Sequence, residues 1–431
     1  MKKYAVSLVA AVAMLGFGCT AALADNGQRF IDVIVTLDVE VSGSTGQFGR
    51  EMAASVASQY GVQARHTYGS VFSGFAARVP EAVYNRMKSD PLIANIDYDA
   101  PVYIAAGNCP HCGGGGDDGG GGSNQTVPWG IDRVGAPTGN TGAGIDIYII
   151  DSGIDGNHRD LNVLGGFASE PCKGGGCPTD WHDDNGHGTH VAGTAAALDN
   201  DVDVVGVAPG ANLYAVKVLS NRGSGTRSGV IAGVDWVTQQ VIAKGKPAVA
   251  NMSLGGSGSK TGTCTNSGFT GTDTYHQAIC NSRNAGVVYV VAAGNSGANA
   301  AGAVPAAYDD AVITVSATNA NDDWTSWSNW GNQSAGWTSN DSAPVAIAAP
   351  GAAILSTKSG GGTETMSGTS MSAPHVAGAA ALALASSNQP SDGRAFVNVR
   401  SILLNAAEST NNFSNTSGNP HDEDFLDVTG L

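Results

Sequence analysis

The sequence predicts an α/β protein with a mostly parallel sheet and helices on both faces, preceded by a small ferredoxin-like α+β domain. In the longer, carboxy-terminal part, runs of almost wholly apolar residues alternate with stretches typical of helices. Because such runs have no polar face, they fit strands that are buried on both sides. A run of glycines and two aspartates, Gly113 to Gly122, separates this part from the smaller one.

Length and composition narrow the classes of protein. A chain of 431 residues can hold one large domain with a small partner, or two to three average ones. Its 61 glycines and its charged fraction of only 13% are typical of a compact, loop-rich globular protein. The formal net charge of −16 argues against nucleic acids and anionic membranes as partners, because both select for basic surfaces.

Residues 1–24 are typical of a secretory signal peptide. Lys2-Lys3 precedes an apolar stretch from Tyr4 to Gly18, and Ala22-Leu23-Ala24 forms a cleavage site of mostly small residues. The apolar stretch is short for a membrane span, and no later run approaches that length. Cys19 leaves a lipoprotein as the alternative. We expect a soluble monomer that a bacterium secretes.

Residues 25–105 predict the small α+β domain. Strand patterns occur at Phe30 to Leu37, Ser73 to Val79 and Leu92 to Tyr98, and helical patterns at Phe48 to Tyr60 and Glu81 to Ser89. The order β, α, β, β, α, β is ferredoxin-like. The glycine-rich linker of residues 106–123 follows, because such a segment can bury nothing and hold no fixed backbone.

Residues 124–431 predict the large domain. Its apolar strands are interpreted as Ile145 to Ile150, Leu213 to Leu219, Ala248 to Leu254 and Val287 to Ala293, separated by helices at Gly188 to Leu198, Thr226 to Ala243 and Thr274 to Asn284. In such sheets the functional site lies beyond the carboxyl ends of the strands. Asp151 and Asn295 follow strands in this way.

Six cysteines remain once the signal peptide is removed, an even number that favours disulfides in an oxidising compartment. Proximity in the sequence suggests the pairs Cys172–Cys177, Cys264–Cys280 and Cys109–Cys112. Zinc binding or redox cycling stays open as the alternative for the last pair, although no second pair lies near it.

Three distant segments supply an acid, a base and a hydroxyl nucleophile. They are Asp151-Ser-Gly, Gly186-His187-Gly-Thr-His and Gly368-Thr-Ser370-Met-Ser-Ala-Pro. A serine hydroxyl is a poor nucleophile at neutral pH, so it needs an imidazole to take its proton and a carboxylate to fix the imidazole's tautomer. The order Asp, His, Ser is the order found in subtilisin.

In these motifs and their order the chain resembles the subtilisin-like serine proteases, the subtilase family, from near residue 30 to roughly residue 410. The resemblance implies a secreted endopeptidase that works through an acyl-enzyme. The small domain resembles the inhibitory pro-segment of such zymogens, in Gly74-Phe-Ala-Ala-Arg-Val and Ile93-Ala-Asn-Ile-Asp. It therefore implies self-processing. Because Gln125 matches a calcium ligand of the family, we expect the cut upstream of it, between Tyr103 and Asn124.

The family match assigns the catalytic roles. Ser370 is the nucleophile, His187 the base and Asp151 the group that orients it, while Asn295 and the Ser370 backbone amide bind the oxyanion. Without the match, neighbouring residues of the same types are rivals: Ser367, Ser372, His190, His375, Asp146 and Asp155.

The resemblance also implies a peptide-binding cleft, in which an extended substrate adds as a strand beside the enzyme. The matching rim residues are Ser224, Gly225, Ser253, Leu254, Gly255 and Gly256. The residues that match the primary pocket are Ala292, Gly294 and Ala303, which are small and carry no acid. We expect a broad preference for apolar or aromatic residues before the scissile bond.

A structural Ca²⁺ is implied by the family's calcium loop. The matching ligands are the carbonyl oxygens of three residues and three side-chain oxygens: Leu198, Val202, Val204, Asn200, Asp160 and Gln125. These are hard oxygen ligands in a number that Ca²⁺ accepts. Asp199, Asp201 and Asp203 depart from the pattern, and the alternative is a solvated acidic turn.

Two other functions stay open on the sequence alone. A binding protein built on an inactive protease scaffold is disfavoured, because such a protein has no physical reason to keep Asp151, His187, Ser370 and Asn295. A peptide ligase of the same family, in which an amine replaces water at the acyl-enzyme, is separated from a hydrolase by analysis of the products.

Overall fold

The structure is a computed structural model that describes residues 29–39, 46–105, 125–174, 176–331 and 344–431. The predicted signal peptide, the linker of residues 106–123 and the Cys109–Cys112 pair lie outside these residues.

Residues 29–98 form a small domain in which four described strands make an antiparallel sheet in the order β2-β3-β1-β4. Its elements are β1 (Phe30–Leu37), α1 (Gln47–Gln59), β2 (Ala64–Tyr68), β3 (Gly74–Pro80), α2 (Glu81–Met87) and β4 (Ile93–Tyr98). Val33, Val35 and Phe75 are fully buried in a core of this domain's own, whereas Ile34 on the other face of β1 packs into the core of the larger domain. The ferredoxin-like prediction is confirmed.

The remaining elements belong to the larger domain and the strand leading to it. In chain order they are β5 (Pro101–Ile104), α3 (Trp129–Arg133), β6 (Asp146–Asp151), β7 (Val163–Ala168), α4 (His187–Ala196), β8 (Asn212–Lys217), β9 (Ser224–Thr226), α5 (Arg227–Lys244), β10 (Ala248–Met252), β11 (Leu254–Ser257), β12 (Thr263–Thr265), β13 (Gly268–Thr270), α6 (Thr274–Asn284), β14 (Val287–Ala292), β15 (Ala303–Val304), β16 (Val312–Thr318), β17 (Val345–Pro350), β18 (Ile354–Thr357), β19 (Thr363–Met366), α7 (Thr369–Ser386) and α8 (Gly393–Ala406).

The central sheet contains seven strands of the described chain, all parallel, in the order β17-β16-β14-β10-β6-β8-β7. Both of its faces are covered. Ile147 and Ile149 of β6 pack into one core with residues of α4 and α7, while Tyr148 and Ile150 pack into a second core with residues of α5 and α6. Alternate side chains of one strand thus serve two apolar layers, which explains why the strand sequences are continuously apolar. The predicted α/β fold is confirmed.

The cysteine pairs Cys172–Cys177 and Cys264–Cys280 form disulfides, as the sequence suggested. Among the described residues, no helix combines the length and the apolar character that crossing a bilayer requires.

Candidate active site

Asp151 and His187 meet at the carboxyl end of β6. Asp151 is the last residue of that strand and His187 is the first residue of α4. His187 Nδ1 lies 2.8 Å from Asp151 Oδ1. This contact assigns the Nδ1–H as donor to the carboxylate and leaves Nε2 with a free lone pair. Asp151 is 0% exposed and His187 7%, so water screens the pair weakly.

Ser370 lies in the first turn of α7, which packs against α4. Its Oγ is 3.3 Å from two carbonyl oxygens, those of Ala105 and Ser253. His187 Nε2 is buried and has no hydrogen-bond partner among the described residues. The structure therefore brings Asp151 into contact with His187 and positions Ser370 at a carbonyl, with the imidazole's basic nitrogen still available.

Asn295 presents its amide nitrogen to the same carbonyl. Its Oδ1 accepts hydrogen bonds from Thr369 N at 2.9 Å and from Thr369 Oγ1 at 3.0 Å. This arrangement fixes the amide orientation, so Nδ2 donates to the carbonyl oxygen of Ala105. A side chain at Gly368 would place its Cβ 3.2 Å from that Nδ2 and 3.7 Å from the Ala105 oxygen. Glycine keeps this small space open for a carbonyl oxygen.

Residues 101–105 lie in the cleft as an extended strand. Strand β5 pairs antiparallel with β9 on one side and with β11 on the other, so that Tyr103 is opposite both Ser224 and Gly255. Beyond β5, Ala105 N donates to Ser253 O at 3.1 Å. The predicted rim residues thus contact a strand of this chain itself, whose last carbonyl lies at Ser370.

A cavity of about 340 Å³ opens beside Ala105. Ala292, Gly294 and Ala303 line it, together with Leu254 and Gly256. None of the described residues that line the cavity carries a charge. The cavity can therefore hold an apolar side chain much larger than the methyl group of Ala105.

The rival residues have other partners. Asp146 pairs with Lys244 at 2.6 Å, at the start of β6 and thus at the opposite end from Asp151. His190 Nε2 contacts Ile354 O, and burial lowers the pKa of His190 to about 3. His375 Nδ1 contacts Met371 O, and burial lowers the pKa of His375 to about 4. Both imidazoles are therefore neutral structural groups at ordinary pH.

The other three rivals are Asp155, Ser367 and Ser372. Asp155 accepts hydrogen bonds from Asn157 N and Gly360 N. Ser367 Oγ accepts one from Ala353 N. Ser372 Oγ is buried and has no hydrogen-bond partner among the described residues. The Ser370 hydroxyl, in contrast, contacts the carbonyl oxygen at the end of the strand in the cleft.

The loop that follows α4 gathers oxygen atoms as a cation site requires. Gln125 Nε2 lies 2.5, 3.2 and 2.7 Å from the carbonyl oxygens of Leu198, Val202 and Val204. Three carbonyls that converge on one point need a donor or a cation there. The Asp160 carboxyl is buried beside them, and its Oδ1 has no partner among the described residues. Burial raises the pKa of Asp160 to about 7.

These residues fit a Ca²⁺ ion, with two departures. Gln125 presents its amide nitrogen, not its predicted oxygen, to the three carbonyls. Asn200 Oδ1 already accepts a hydrogen bond from Val202 N at 3.0 Å. The acidic residues around the loop are partly neutralised, since Arg159 pairs with Asp203 at 2.9 Å. No group of three or more His, Cys, Asp or Glu side chains in the described residues could hold a metal. A loop that offers mainly carbonyl oxygens would not form such a group.

The sequence reading missed four residues that hold the catalytic groups in place: Ser152, Asp183, Lys217 and Thr369. Asp183 accepts from Ser152 Oγ at 2.9 Å and from Gly186 N at 2.9 Å, which joins the Asp151 strand to the His187 helix. Ser152 and Thr369 lie inside the catalytic motifs, and Asp183 lies three residues before Gly186, so attention to buried polar neighbours could have found them. No local pattern indicates Lys217.

Comparison with known proteins assigns the family. The sequence model of the Subtilase family, Peptidase S8, matches residues 142–423. The chain is 39% identical over 337 residues to alkaline elastase YaB from Bacillus sp. (strain YaB), covering 77% of this chain and 73% of the elastase. It is 36% identical over 316 residues to subtilisin E from Bacillus subtilis (strain 168), covering 72% and 70%.

A solved structure agrees with these matches. The crystal structure of a cold adapted subtilisin-like serine proteinase superposes with a TM-score of 0.56 and 35% identity, over 71% of this chain and 98% of the other. The family match, the relatives and this structural likeness together show that the chain belongs to the subtilase family and is a serine endopeptidase.

Proposed function

We propose that this protein is a secreted zymogen that cuts its own chain between Ala105 and Ala106 and is inhibited by the released pro-domain, residues 25–105. One observation carries the proposal: the Ala105 carbonyl oxygen lies 3.3 Å from Ser370 Oγ and accepts from the Asn295 amide. A strand that ends in this way has the position of a substrate up to its scissile carbonyl. Ala106 itself lies outside the described residues.

The geometry supports an acyl-transfer mechanism. Ser370 Oγ bonds to the Ala105 carbonyl carbon while His187 Nε2 takes the hydroxyl proton, and Asp151 stabilises the resulting imidazolium. Asn295 Nδ2 donates to the oxyanion as negative charge develops on the carbonyl oxygen. The Ala105–Ala106 bond then breaks, and the proton on His187 passes to the leaving nitrogen. Water then attacks the acyl-enzyme carbonyl while His187 takes its proton, and His187 returns that proton to Ser370 Oγ as the acyl bond breaks.

Inhibition by the pro-domain is supported by its polar contacts with the larger domain. Asp99 caps the start of α5, since its carboxylate accepts from Ser228 N at 2.9 Å and from Ser228 Oγ at 2.6 Å. Asp97 does the same for α6 through Thr274 N at 2.8 Å. Carboxylates at helix amino termini are favourable because of the unpaired N–H groups and the helix dipole. These contacts hold the domain on the enzyme after the cut.

The loop of residues 69–71 adds a further anchor. Asp235 on α5 accepts hydrogen bonds from the backbone amides of Gly69, Ser70 and Val71, at 3.0, 2.6 and 2.9 Å. Arg50 pairs with the same carboxylate at 2.8 Å. Asp235 is therefore a binding point that the free enzyme would expose to water.

The cleft supports a preference for apolar residues at two substrate positions. The uncharged cavity of about 340 Å³ lies beside Ala105, the residue before the scissile bond. Val102, three residues earlier, is fully buried in the core of the larger domain. Apolar surface removed from water at both positions stabilises the bound peptide. We expect large apolar or aromatic residues to be favoured where this chain has Ala105.

The calcium loop supports a structural ion bound by Leu198, Val202 and Val204 carbonyls with the Asp160, Asn200 and Gln125 side chains. The unpartnered Asp160 Oδ1 and the converging carbonyls carry this proposal. The ion would neutralise the buried carboxylate and fasten the segment at Gln125 to the larger domain.

The proposed processing is tested by mass spectrometry of the secreted protein. The parent is expected to yield a mature chain that begins at Ala106, or at a later residue after trimming. Ser370→Ala is expected to lose only the signal peptide, so that its chain runs unbroken from Asp25, and to hydrolyse no unfolded protein substrate. Ser372→Ala is the matched control, since it removes a hydroxyl two residues along the same helix and should process normally.

Two results would contradict the proposal. Processing of Ser370→Ala in a purified sample would remove Ser370 from its role. A parent whose first cut lies away from Ala105 would show that the strand in the cleft is not the processed segment.

A further inference from the structure

We propose that Lys217 is a positioning residue for catalysis, whose ammonium group ties the strand end that bears Asp151 to the loop that precedes His187. This inference rests on the catalytic roles proposed above for those two residues. It concerns how their 2.8 Å contact is maintained, rather than which group transfers the proton.

Lys217 is the last residue of β8 and is 0% exposed. Its Nζ lies 2.7 Å from Ser152 O, 2.6 Å from Asp184 Oδ1 and 2.8 Å from Leu219 O. An ammonium group has three N–H donors, and here each has an acceptor. The contacts therefore fix the ammonium in one place, although a lysine side chain is flexible in water.

The acceptors belong to the two segments that carry the catalytic pair. Ser152 directly follows Asp151, and its backbone N–H donates to Asp151 Oδ1 at 2.6 Å. Lys217 holds the carbonyl of that same residue. In the sheet, Lys217 also stands beside Asp151 in the register of β6 with β8. Lys217 thus restrains the backbone on which the Asp151 carboxylate is mounted.

Asp184 lies three residues before His187 and provides the other anchor. The Lys217–Asp184 ion pair runs parallel to a second link, in which Ser152 Oγ donates to Asp183. Asp183 in turn accepts from Gly186 N at 2.9 Å and from Thr189 N at 2.9 Å, at the start of α4. Two adjacent carboxylates therefore connect the Asp151 segment to the His187 segment through different donors.

Packing alone does not explain a lysine at this position. The rest of β8, Asn212 to Val216, is largely buried, and an apolar side chain at Lys217 would continue that pattern. Taking a charge out of water costs free energy, and buried ion pairs are often no more stabilising than apolar residues of similar volume. The ion pair adds a defined geometry. Its hydrogen bonds set the distance between two backbone segments, which non-directional apolar contacts would not fix.

The test compares Lys217→Met with Lys244→Met in the full chain. Lys244 is the matched control, because its ion pair with Asp146 is equally short, at 2.6 Å, but lies at the other end of β6. For each variant, kcat and KM on a peptide substrate are measured per active site, with the sites counted by a covalent serine reagent. The melting temperature is recorded in parallel.

We expect Lys217→Met to lower kcat by about 10- to 100-fold with KM changed less than about threefold, because small displacements of reacting groups cost rate rather than binding. Lys244→Met should leave both constants unchanged even if its melting temperature falls. Asp184→Asn, which keeps an oxygen for Lys217, should retain most of the kcat that Asp184→Ala loses. A purely structural role would instead change the number of active sites and the melting temperature but not kcat per site.

A kcat per site within about twofold of the parent in Lys217→Met would overturn the proposal. If that variant does not accumulate as folded protein, Asp184→Ala is measured in the same way, and unchanged turnover there overturns it equally. Ser370→Ala, assayed alongside, separates the two levels of inference. Activity in that variant would refute the proposed catalytic site, whereas an inactive Ser370→Ala with a fully active Lys217→Met would refute only the role of Lys217.

Discussion

Replacing Asp235 with alanine is expected to weaken retention of the processed pro-domain without changing the catalytic site. The Asp235 carboxylate accepts hydrogen bonds from the three backbone amides of residues 69–71 and forms an ion pair with Arg50. Its side chain is only 6% exposed in the complex, so these contacts are made with little competition from water. After the pro-domain leaves, both sets of partners return to water.

The size of the effect follows from these contacts. Removing one partner of a desolvated, hydrogen-bonded charge pair at an interface costs about 2–5 kcal/mol of binding free energy. Since about 1.4 kcal/mol corresponds to a tenfold change in an equilibrium constant, the dissociation constant should rise roughly 30-fold to several thousand-fold. Asp235→Asn keeps one acceptor oxygen but loses the charge, so its effect should be intermediate.

The assay uses the full chain after it has processed itself. Hydrolysis of a chromogenic peptide is measured at once after dilution over a series of enzyme concentrations, and the concentration at which half of the activity appears reports the dissociation constant. Asp146→Ala is the control, because Asp146 is also paired with a basic side chain but contacts no described residue of the pro-domain. Once the pro-domain is degraded, kcat/KM should be the same in all variants. An unchanged half-activation concentration in Asp235→Ala would refute the reasoning.

Three further outcomes concern the site, the metal and acid stability. Asn295→Ala should lower kcat by about 10²–10³ with little change in KM, a magnitude taken from subtilisin itself, and steady-state kinetics checks it. Chelating calcium should lower the melting temperature, more above pH 7 than below it. Burial raises the pKa of Asp160 to about 7. In the metal-free protein the protonated carboxyl therefore stabilises the fold at low pH, and this stabilisation is lost as the pH rises through about 7. Asp160→Asn should abolish both the chelator response and this pH dependence in scanning calorimetry; a persisting response would remove Asp160 from the site. Burial lowers the pKa of His190 to about 3 and that of His375 to about 4. The unfolded chain, with an ordinary value of about 6.5, therefore binds protons first, and stability should fall as pH drops from about 6.5 towards 4. Thermal melting over that range measures it, and a flat profile would contradict it.

The core of the fold could be predicted because it depends on a local pattern. Strand β1 and helix α6 have the predicted bounds, Phe30–Leu37 and Thr274–Asn284. Strand β2, Ala64–Tyr68, carries Arg, His and Thr and shows no alternation of apolar residues, so only its pairing with β3 defines it. Strand β7 contains two glycines and lies at the edge of the sheet, where fewer apolar residues are needed.

The candidate site divides in the same way. Asp151, His187 and Ser370 stand in short motifs, so their types and order are visible in the sequence. Lys217 lies inside the predicted strand Leu213 to Leu219 with no motif around it, and only the folded chain shows the buried oxygens that it contacts. The position of Ala105 likewise depends on strand pairing between distant segments, which no local pattern records.

In the proposed function a protein substrate takes the place of residues 101–105 between β9 and β11, which limits the proteins that the enzyme can digest. A protein substrate must present several consecutive extended residues whose backbone N–H and C=O groups are unpaired on both sides, because each side pairs with a different enzyme strand. Helical segments and strands inside a sheet have no such unpaired groups. The rate at which a folded substrate is digested therefore depends on how often its segments unfold locally. Digestion rates would accordingly rank substrates by their local stability.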